Sequence, residues 1–312
     1  MDVQALILAG GKSKRMNFNK NKIFMDMCGK SILQHIIDNL LFANIKDILL
    51  VANVENYKQL SKLSTFKKVI IQPILNGTGG AVLSAINYLN KSKKTLIING
   101  DGPILNPSFI QGFINNDAKL VLLTNNIKTS STNGRVLRNK NNEVQSIVEF
   151  KDATNGQKLI TEGNAGVYLF DTKKLIKHIT LLNNNNEQHE LYLTDLVKIF
   201  VQNNYSIKTV LMPTRNNYLS VNTMREYTMQ NIKMQHDIKC DLIEKGVLLV
   251  QPNTIYVQNK VDIGTGTIIY GGVHLLNDVT IGENCIIYPN CVLKNCIIQN
   301  NTIVKPGSII IN

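Results

Sequence analysis

Hydrophobic positions follow two different rhythms along the 312 residues. Up to about residue 225, short apolar runs alternate with stretches whose apolar residues recur every three or four positions. That is the pattern of strands and amphipathic helices in an α/β, largely parallel sheet covered on both faces. Residues 4–8, 47–51, 68–71, 95–98 and 120–124 predict strands, rich in Ile, Leu and Val. Between the first two, a helix opened by Ser31 places Ile32, Leu33, Ile36, Ile37, Leu40 and Leu41 on one face. A second follows Gly79-Gly80 and turns Ala81, Val82, Ala85, Ile86 and Leu89 inward. Strands at 136–138, 144–149, 166–170 and 206–211 suggest an inserted substrate-side subdomain, and a helix over about 223–239 leads out of the region.

From Val261 the period becomes six. Apolar residues fall at Ile263, Ile269, Leu275, Ile281, Ile287 and Leu293 and, after a one-residue slip, at Ile298, Val304 and Ile310. Two positions before each stands a small or β-branched residue, among them Cys285, Cys291 and Cys296. This is the hexapeptide signature of a parallel β-helix, with Gly264, Gly266 and Gly282 at turns. The chain thus divides into 1–225, a linker helix at 226–245 and a β-helix at 246–312.

Composition changes this picture little. The formal net charge is +12, but the basic residues are scattered, mostly Lys, with Arg only at 15, 135, 138, 215 and 225. A solvated Lys-rich surface explains that better than a nucleic-acid stripe, and the abundance of Asn, Ile and Lys suggests coding bias. No apolar run approaches the ~20 residues needed to span a bilayer. No signal peptide is visible and the five cysteines lack zinc spacing, so a soluble cytoplasmic protein is expected. His178 and His189 read as surface residues near helix ends, and His274 as solvent-facing.

Chemistry concentrates in the first region. Leu8-Ala9-Gly10-Gly11-Lys12-Ser13-Lys14-Arg15 runs from a strand into a glycine turn and basic residues, followed by Lys22. Such a turn directs amide N–H groups at an anion, although many strand-to-helix turns look similar. Asp101 ends a strand, where a parallel sheet binds ligands and a carboxylate is suited to Mg²⁺; capping a turn at Gly102-Pro103 is the alternative. Gln72 and Gly77-Thr78 suggest a nucleoside seat. A primary amide pairs with the uracil N3–H and O4, rejects cytosine, and does not separate uracil from thymine. Asn222 precedes a helix and serves equally well as an N-cap.

Taken in order, these segments resemble the bacterial bifunctional N-acetylglucosamine-1-phosphate uridyltransferase/glucosamine-1-phosphate acetyltransferase family over nearly the whole chain. Leu8–Met16 resembles its nucleotide loop, Lys22 its phosphate-binding lysine, and Gln72 with Gly77-Thr78 its uracil-binding segment. Gly100-Asp101 and Val221-Asn222 match its magnesium ligands. Gly134-Arg135-Val136, Glu149-Phe150-Lys151-Asp152-Ala153 and Asn164-Ala165-Gly166 look like its sugar-binding segments, and Leu191-Tyr192-Leu193-Thr194-Asp195 another family stretch. Departures are Ser13 and Lys14 for Gly-Thr, Asn21 for proline, Gly80 for a larger residue and Gly102 for valine.

The resemblance implies a Rossmann-like nucleotidyltransferase domain and a left-handed β-helix. It also implies Mg²⁺-assisted attack of N-acetylglucosamine 1-phosphate on UTP, giving UDP-N-acetylglucosamine, a peptidoglycan precursor, and pyrophosphate. Leu8, Ala9, Gly10, Gly11, Lys22, Gln72, Gly77 and Thr78 would bind the nucleotide. Arg15, Lys22 and Asp101 would carry catalysis, Gly134, Glu149 and Asn164 the sugar, and Asp101 with Asn222 the metal. Rivals are another substrate pair, such as dTTP and glucose 1-phosphate, and a catalytically weak nucleotide-binding scaffold. Repeats counted from Val261 make under three coils, from which acetyl transfer is not expected; the family pattern implies a homotrimer through the β-helix.

Overall fold

The computed structural model describes residues 3–16, 18, 20–63, 66–89 and 94–312. Contacts divide the chain into two compact units: Met1–Ile23 with Leu33–Asn222, and Phe24–Ile32 with Thr223–Asn312.

The first unit is built on a nine-stranded sheet. Its strands are β1 (Val3–Leu8), β2 (Ile48–Ala52), β3 (Lys68–Ile71), β4 (Lys94–Asn99), β5 (Leu120–Asn126), β6 (Arg135–Arg138), β7 (Val144–Val148), β8 (Glu162–Asp171) and β9 (Ile207–Leu211). The spatial order is β9-β5-β8-β4-β1-β2-β3, with β6 pairing β8 and β7. The β1–β2, β2–β3, β1–β4 and β5–β9 pairs are parallel, while β8 runs antiparallel to both β4 and β5. Strands β8 and β9 therefore belong to the main sheet and not to an inserted subdomain; only the β6–β7 hairpin lies off its path. Their apolar runs look like those of any buried strand, and the sheet they join is not encoded locally.

Helix Ile32–Phe42 buries the expected face, with Leu41 half-buried, and Thr78–Ala85 buries Ala81, Val82 and Ala85. His178 is not a surface residue. It ends helix Thr172–His178, is 3% exposed, and packs edge-on to Phe200 with its Nε2 3.1 Å from the Tyr205 hydroxyl. Its place at a helix end hid that the last turn faces the core. His189 and His274 are exposed.

In the second unit, helix Met224–Glu244 ends five residues beyond the point its pattern suggested. Gln235 anchors it to the first coil, donating to the Val257 carbonyl at 2.6 Å and accepting from its N–H at 3.1 Å. Beyond it stands a left-handed parallel β-helix of three stacks holding four, four and three strands. The count of under three coils is thus too low. Coiling starts at Leu248-Leu249 and Tyr256-Val257, which pair in register with Ile268-Ile269 and His274-Leu275. These two strands stand eight residues apart, across a 3-10 turn at Pro252–Thr254, so the six-residue rhythm does not reach them.

Cys285, Cys291 and Cys296 are buried, and the Cys285 and Cys291 thiols donate to the Gln299 and Lys305 carbonyls of the next coil. Asn277, Asn284, Asn290, Asn295 and Asn301 take left-handed φ angles between 51° and 61° at the coil corners. Asparagine tolerates that conformation better than other side chains, so these residues are structural and not merely compositional. Outward on one stack, Leu248, Ile268, Ile286 and Ile303 align in register, beside Tyr270 and Tyr288 stacked at 5.4 Å. No helix among the described residues is long and apolar enough to cross a membrane.

Candidate active site

Neighbouring strands β1 and β4 carry the chain onward from the middle of the sheet, where successive connections leave in opposite directions. Such a switch point opens a crevice at the carboxyl ends of the strands. A cavity of about 650 Å³ lies there. Leu8, Ala9, Gly10, Gly11, Arg15, Lys22, Gln72, Gly77, Thr78, Asp101, Gly134, Glu149, Asn164 and Asn222 all line it. Every residue singled out for nucleotide, sugar, metal or catalysis is therefore brought to one place, although no single element carries more than a few of them.

The glycine loop is pinned from behind. Asn53 Nδ2 donates to the Gly10 carbonyl and Asn56 Nδ2 to the Ala9 carbonyl, both at 2.8 Å, while each asparagine accepts the other's backbone N–H. Fixing these carbonyls sets the orientation of the peptide planes that line the cavity. Neither asparagine was recognised from sequence; the signal was a buried Asn-x-x-Asn directly after β2. Gly10 and Gly11 have no left-handed φ. What Gly10 supplies is room, since a Cβ there would stand 3.2 Å from Gln72 Oε1. The left-handed residue is Ser13, at φ 54°. Its hydroxyl donates to Asn21 Oδ1 at 2.9 Å and accepts the Lys22 N–H at 3.0 Å, so two of the family departures meet in one clasp. The Lys14 side chain lies outside the described residues.

At this end of the cavity Lys22 Nζ pairs with Asp101 and donates to Asn222 Oδ1 at 3.0 Å, and Arg15 donates to the same oxygen at 2.8 Å. The Val221 N–H bonds the Asp101 carbonyl at 3.0 Å, which holds the two segments side by side. Gly102 lets them approach: a Cβ there would lie 2.8 Å from Ser220 Cα. The N-cap of the following helix is Thr223, in a capping box with Glu226, so Asn222 is not the cap. Asp101 and Asn222 direct one carboxylate and one amide oxygen at a single cation, here the Lys22 ammonium. Among the described residues no cluster of three or more His, Cys, Asp or Glu is placed to hold a metal. A donor set this sparse fits Mg²⁺, which takes one or two protein oxygens and fills its octahedron with phosphate and water.

The opposite end is lined by the carboxyl groups of Glu149 and Glu190. Burial pushes the Glu149 carboxyl above its usual range, reinforced by Asp195, Asp152 and Glu190 and opposed by a 3.0 Å hydrogen bond from the Thr194 hydroxyl. Thr194, 3% exposed and on the cavity wall, lies in the family-like stretch Leu191–Asp195, which carried no assigned role. Asn164 Nδ2 donates to the Tyr168 hydroxyl at 2.6 Å, and its Oδ1 accepts the Gly166 N–H at 3.1 Å. Gly134 is held by its neighbour: the fully buried Arg135 guanidinium donates to the Thr129, Ser131 and Asn133 carbonyls and faces the Phe150 ring. Between the two ends, Gly77 is needed less by a ligand than by the chain itself. A Cβ there would meet the Leu191 carbonyl at 2.6 Å.

The sheet order, the cavity at its switch point and the coils behind a long helix define a nucleotidyltransferase unit followed by hexapeptide repeats. Residues 5–139 match the MobA-like NTP transferase domain, and residues 260–295 and 278–312 match the bacterial transferase hexapeptide of six repeats. Similar proteins include the bifunctional protein GlmU of Clostridioides difficile (strain 630), 33% identical over 99% of this chain and 68% of its own length. Those of Geobacillus sp. (strain WCH70) and Clostridium botulinum (strain Langeland) are 32% and 33% identical, over 96% and 98% of this chain and 67% and 68% of theirs. The chain belongs to the GlmU bifunctional protein family.

Proposed function

We propose that the chain makes UDP-N-acetylglucosamine and pyrophosphate from UTP and N-acetylglucosamine 1-phosphate. The observation that supports this reading is the bipolar cavity, with a cationic end formed by Arg15 and Lys22 and a carboxyl-lined end at Glu149. In the proposed reaction a phosphate oxygen of the sugar 1-phosphate attacks the α-phosphorus of UTP in line. The bond from that phosphorus to the bridging oxygen breaks, and pyrophosphate leaves with its electron pair. Both reactants are anions, so positioning and charge neutralisation supply most of the rate. The Gly10–Gly11 backbone, Arg15 and Lys22 hold the triphosphate; Gln72 reads the base; Gly134, Glu149 and Asn164 seat the sugar.

Asp101 and Asn222 would hold Mg²⁺, which when bound neutralises phosphate charge and orients the phosphoryl oxygens. The Lys22 ammonium, which pairs with these oxygens, would be available to the triphosphate. The apolar column Leu248, Ile268, Ile286 and Ile303, continued by the tyrosine stack, supports self-association through the coils as a homotrimer. We assign no acetyl transfer to these coils: their cysteines pack inward, and their sole histidine, His274, is exposed beside Tyr256. Pyrophosphate release from UTP and Mg²⁺, measured with one sugar 1-phosphate at a time, tests the proposal. N-acetylglucosamine 1-phosphate should give the highest kcat/KM, and acetyl-CoA with glucosamine 1-phosphate should give no acetylated product. A higher kcat/KM for glucose 1-phosphate would refute the sugar assignment.

A further inference from the structure

Gln72 is 4% exposed, and its carboxamide does not choose its own orientation. Nε2 lies 3.2 Å from the Gly77 carbonyl and 3.2 Å from Asn76 Oδ1. A backbone carbonyl only accepts, so it selects the nitrogen of the amide and not the oxygen. Both N–H donors are then spent inside the protein, so the amide has none left for the uracil O4 that its sequence pattern suggested it would meet, and Oε1 is turned towards Gly10 on the cavity side. Asn76 does not itself line the cavity. Its carboxamide fits because residue 80 has no side chain: a Cβ on Gly80 would stand 1.7 Å from Asn76 Oδ1. Gly80 has no left-handed φ and sits in a helix, where alanine is intrinsically favoured. Space for Asn76 is therefore what glycine provides at this position.

We propose that Asn76, admitted by Gly80, is a positioning residue that locks the Gln72 carboxamide with its oxygen towards the cavity, and so restricts the site to nucleobases presenting a ring N–H. Uracil and thymine carry that donor at N3, whereas cytosine carries an acceptor there and would face Oε1 lone pair to lone pair. This inference rests on the nucleotide-seat reading of Gln72, but not on the choice of UTP or of the sugar.

Calorimetric titration with Mg²⁺–UTP, Mg²⁺–dTTP and Mg²⁺–CTP tests it without requiring turnover. The wild type should bind CTP at least ~30-fold more weakly than UTP, the scale of an unpaired polar group against a made hydrogen bond. Asn76→Ala and Gly80→Ala, which remove or displace the same oxygen, should each shrink the UTP/CTP ratio about 5- to 10-fold. Asn76→Asp keeps an acceptor and should retain the ratio within about twofold. Asn76→Ala leaves helix and backbone intact, so the test survives if Gly80→Ala does not fold. A wild type preferring dTTP would refute the UTP assignment and support the lock. A wild type that binds CTP as well as UTP, one that binds none of the three, or variants with the wild-type ratio would overturn it.

Discussion

At the glycine-loop end of the cavity Lys22 and Arg15 converge on Asp101 and Asn222, and each charge there has a partner within hydrogen-bond reach. At the Gly134 and Asn164 end the charged group is Glu149, and the neighbours that raise its pKa alongside burial are Asp195, Asp152 and Glu190. The first end is a network that a triphosphate would rearrange by exchanging one set of ionic partners for another. The second holds an acceptor whose ionisation is costly until a ligand supplies donors. Such a gradient would orient a sugar phosphate: phosphate is drawn to one end, and a neutral, hydroxyl-rich ring suits the other.

Removing the carboxylate at the cationic end should produce the largest effect. Asp101→Ala is expected to lower kcat by at least ~10²-fold, comparable to losing one preorganised electrostatic stabiliser, as read from pyrophosphate release. Asn222→Ala deletes the oxygen shared by Lys22 and Arg15 and should cost roughly 10- to 30-fold, in line with hydrogen bonds to charged groups. Because Thr223 caps the helix, its melting temperature should stay near the wild-type value; a large drop with unchanged turnover would assign Asn222 to structure alone.

The carboxyl-lined end should respond in the opposite sense. Between the ordinary glutamate pKa and the raised folded value, the folded protein keeps a proton that the unfolded chain has released. Stability therefore falls as pH rises through that window. Glu149→Gln should flatten this slope and raise the melting temperature at neutral pH while increasing KM for the sugar phosphate about 5- to 10-fold. Denaturant titrations across pH, paired with kinetics, read both changes; a lower melting temperature would contradict the account.

His178 supplies a control in the aromatic core. Burial, with Lys177 and Lys174 nearby, holds its pKa below the usual 6.5, so the unfolded chain binds protons more readily and stability is lost as pH falls through this range. His178→Leu should reduce that acid-side loss and leave KM for both substrates within about twofold, with a stability change on the order of 1 kcal/mol.

The contrast also separates what sequence discloses from what it hides. The glycine loop and Asp101 as parts of the cavity, and the coil positions from Ile263 onward, were legible because their residues are contiguous or periodic. Asn53, Asn56 and Thr194 act on residues reached through tertiary contact: the Asn53–Gly10 and Thr194–Glu149 hydrogen bonds span 43 and 45 positions. No local rhythm reports such partners. The first coil escaped for a related reason, its eight-residue spacing lying outside the six-residue repeat. The antiparallel strand β8 went unassigned to the main sheet because its apolar run does not state its neighbours.

The most direct test of the bipolar site is a competition in one vessel: equal UTP and dTTP, equal N-acetylglucosamine 1-phosphate and glucose 1-phosphate, Mg²⁺, and mass-spectrometric identification of the products. The account predicts that UDP-N-acetylglucosamine accumulates first and in excess, with pyrophosphate released in equal amount. Predominant dTDP-glucose, or nucleotide binding with no pyrophosphate release under any pairing, would contradict it.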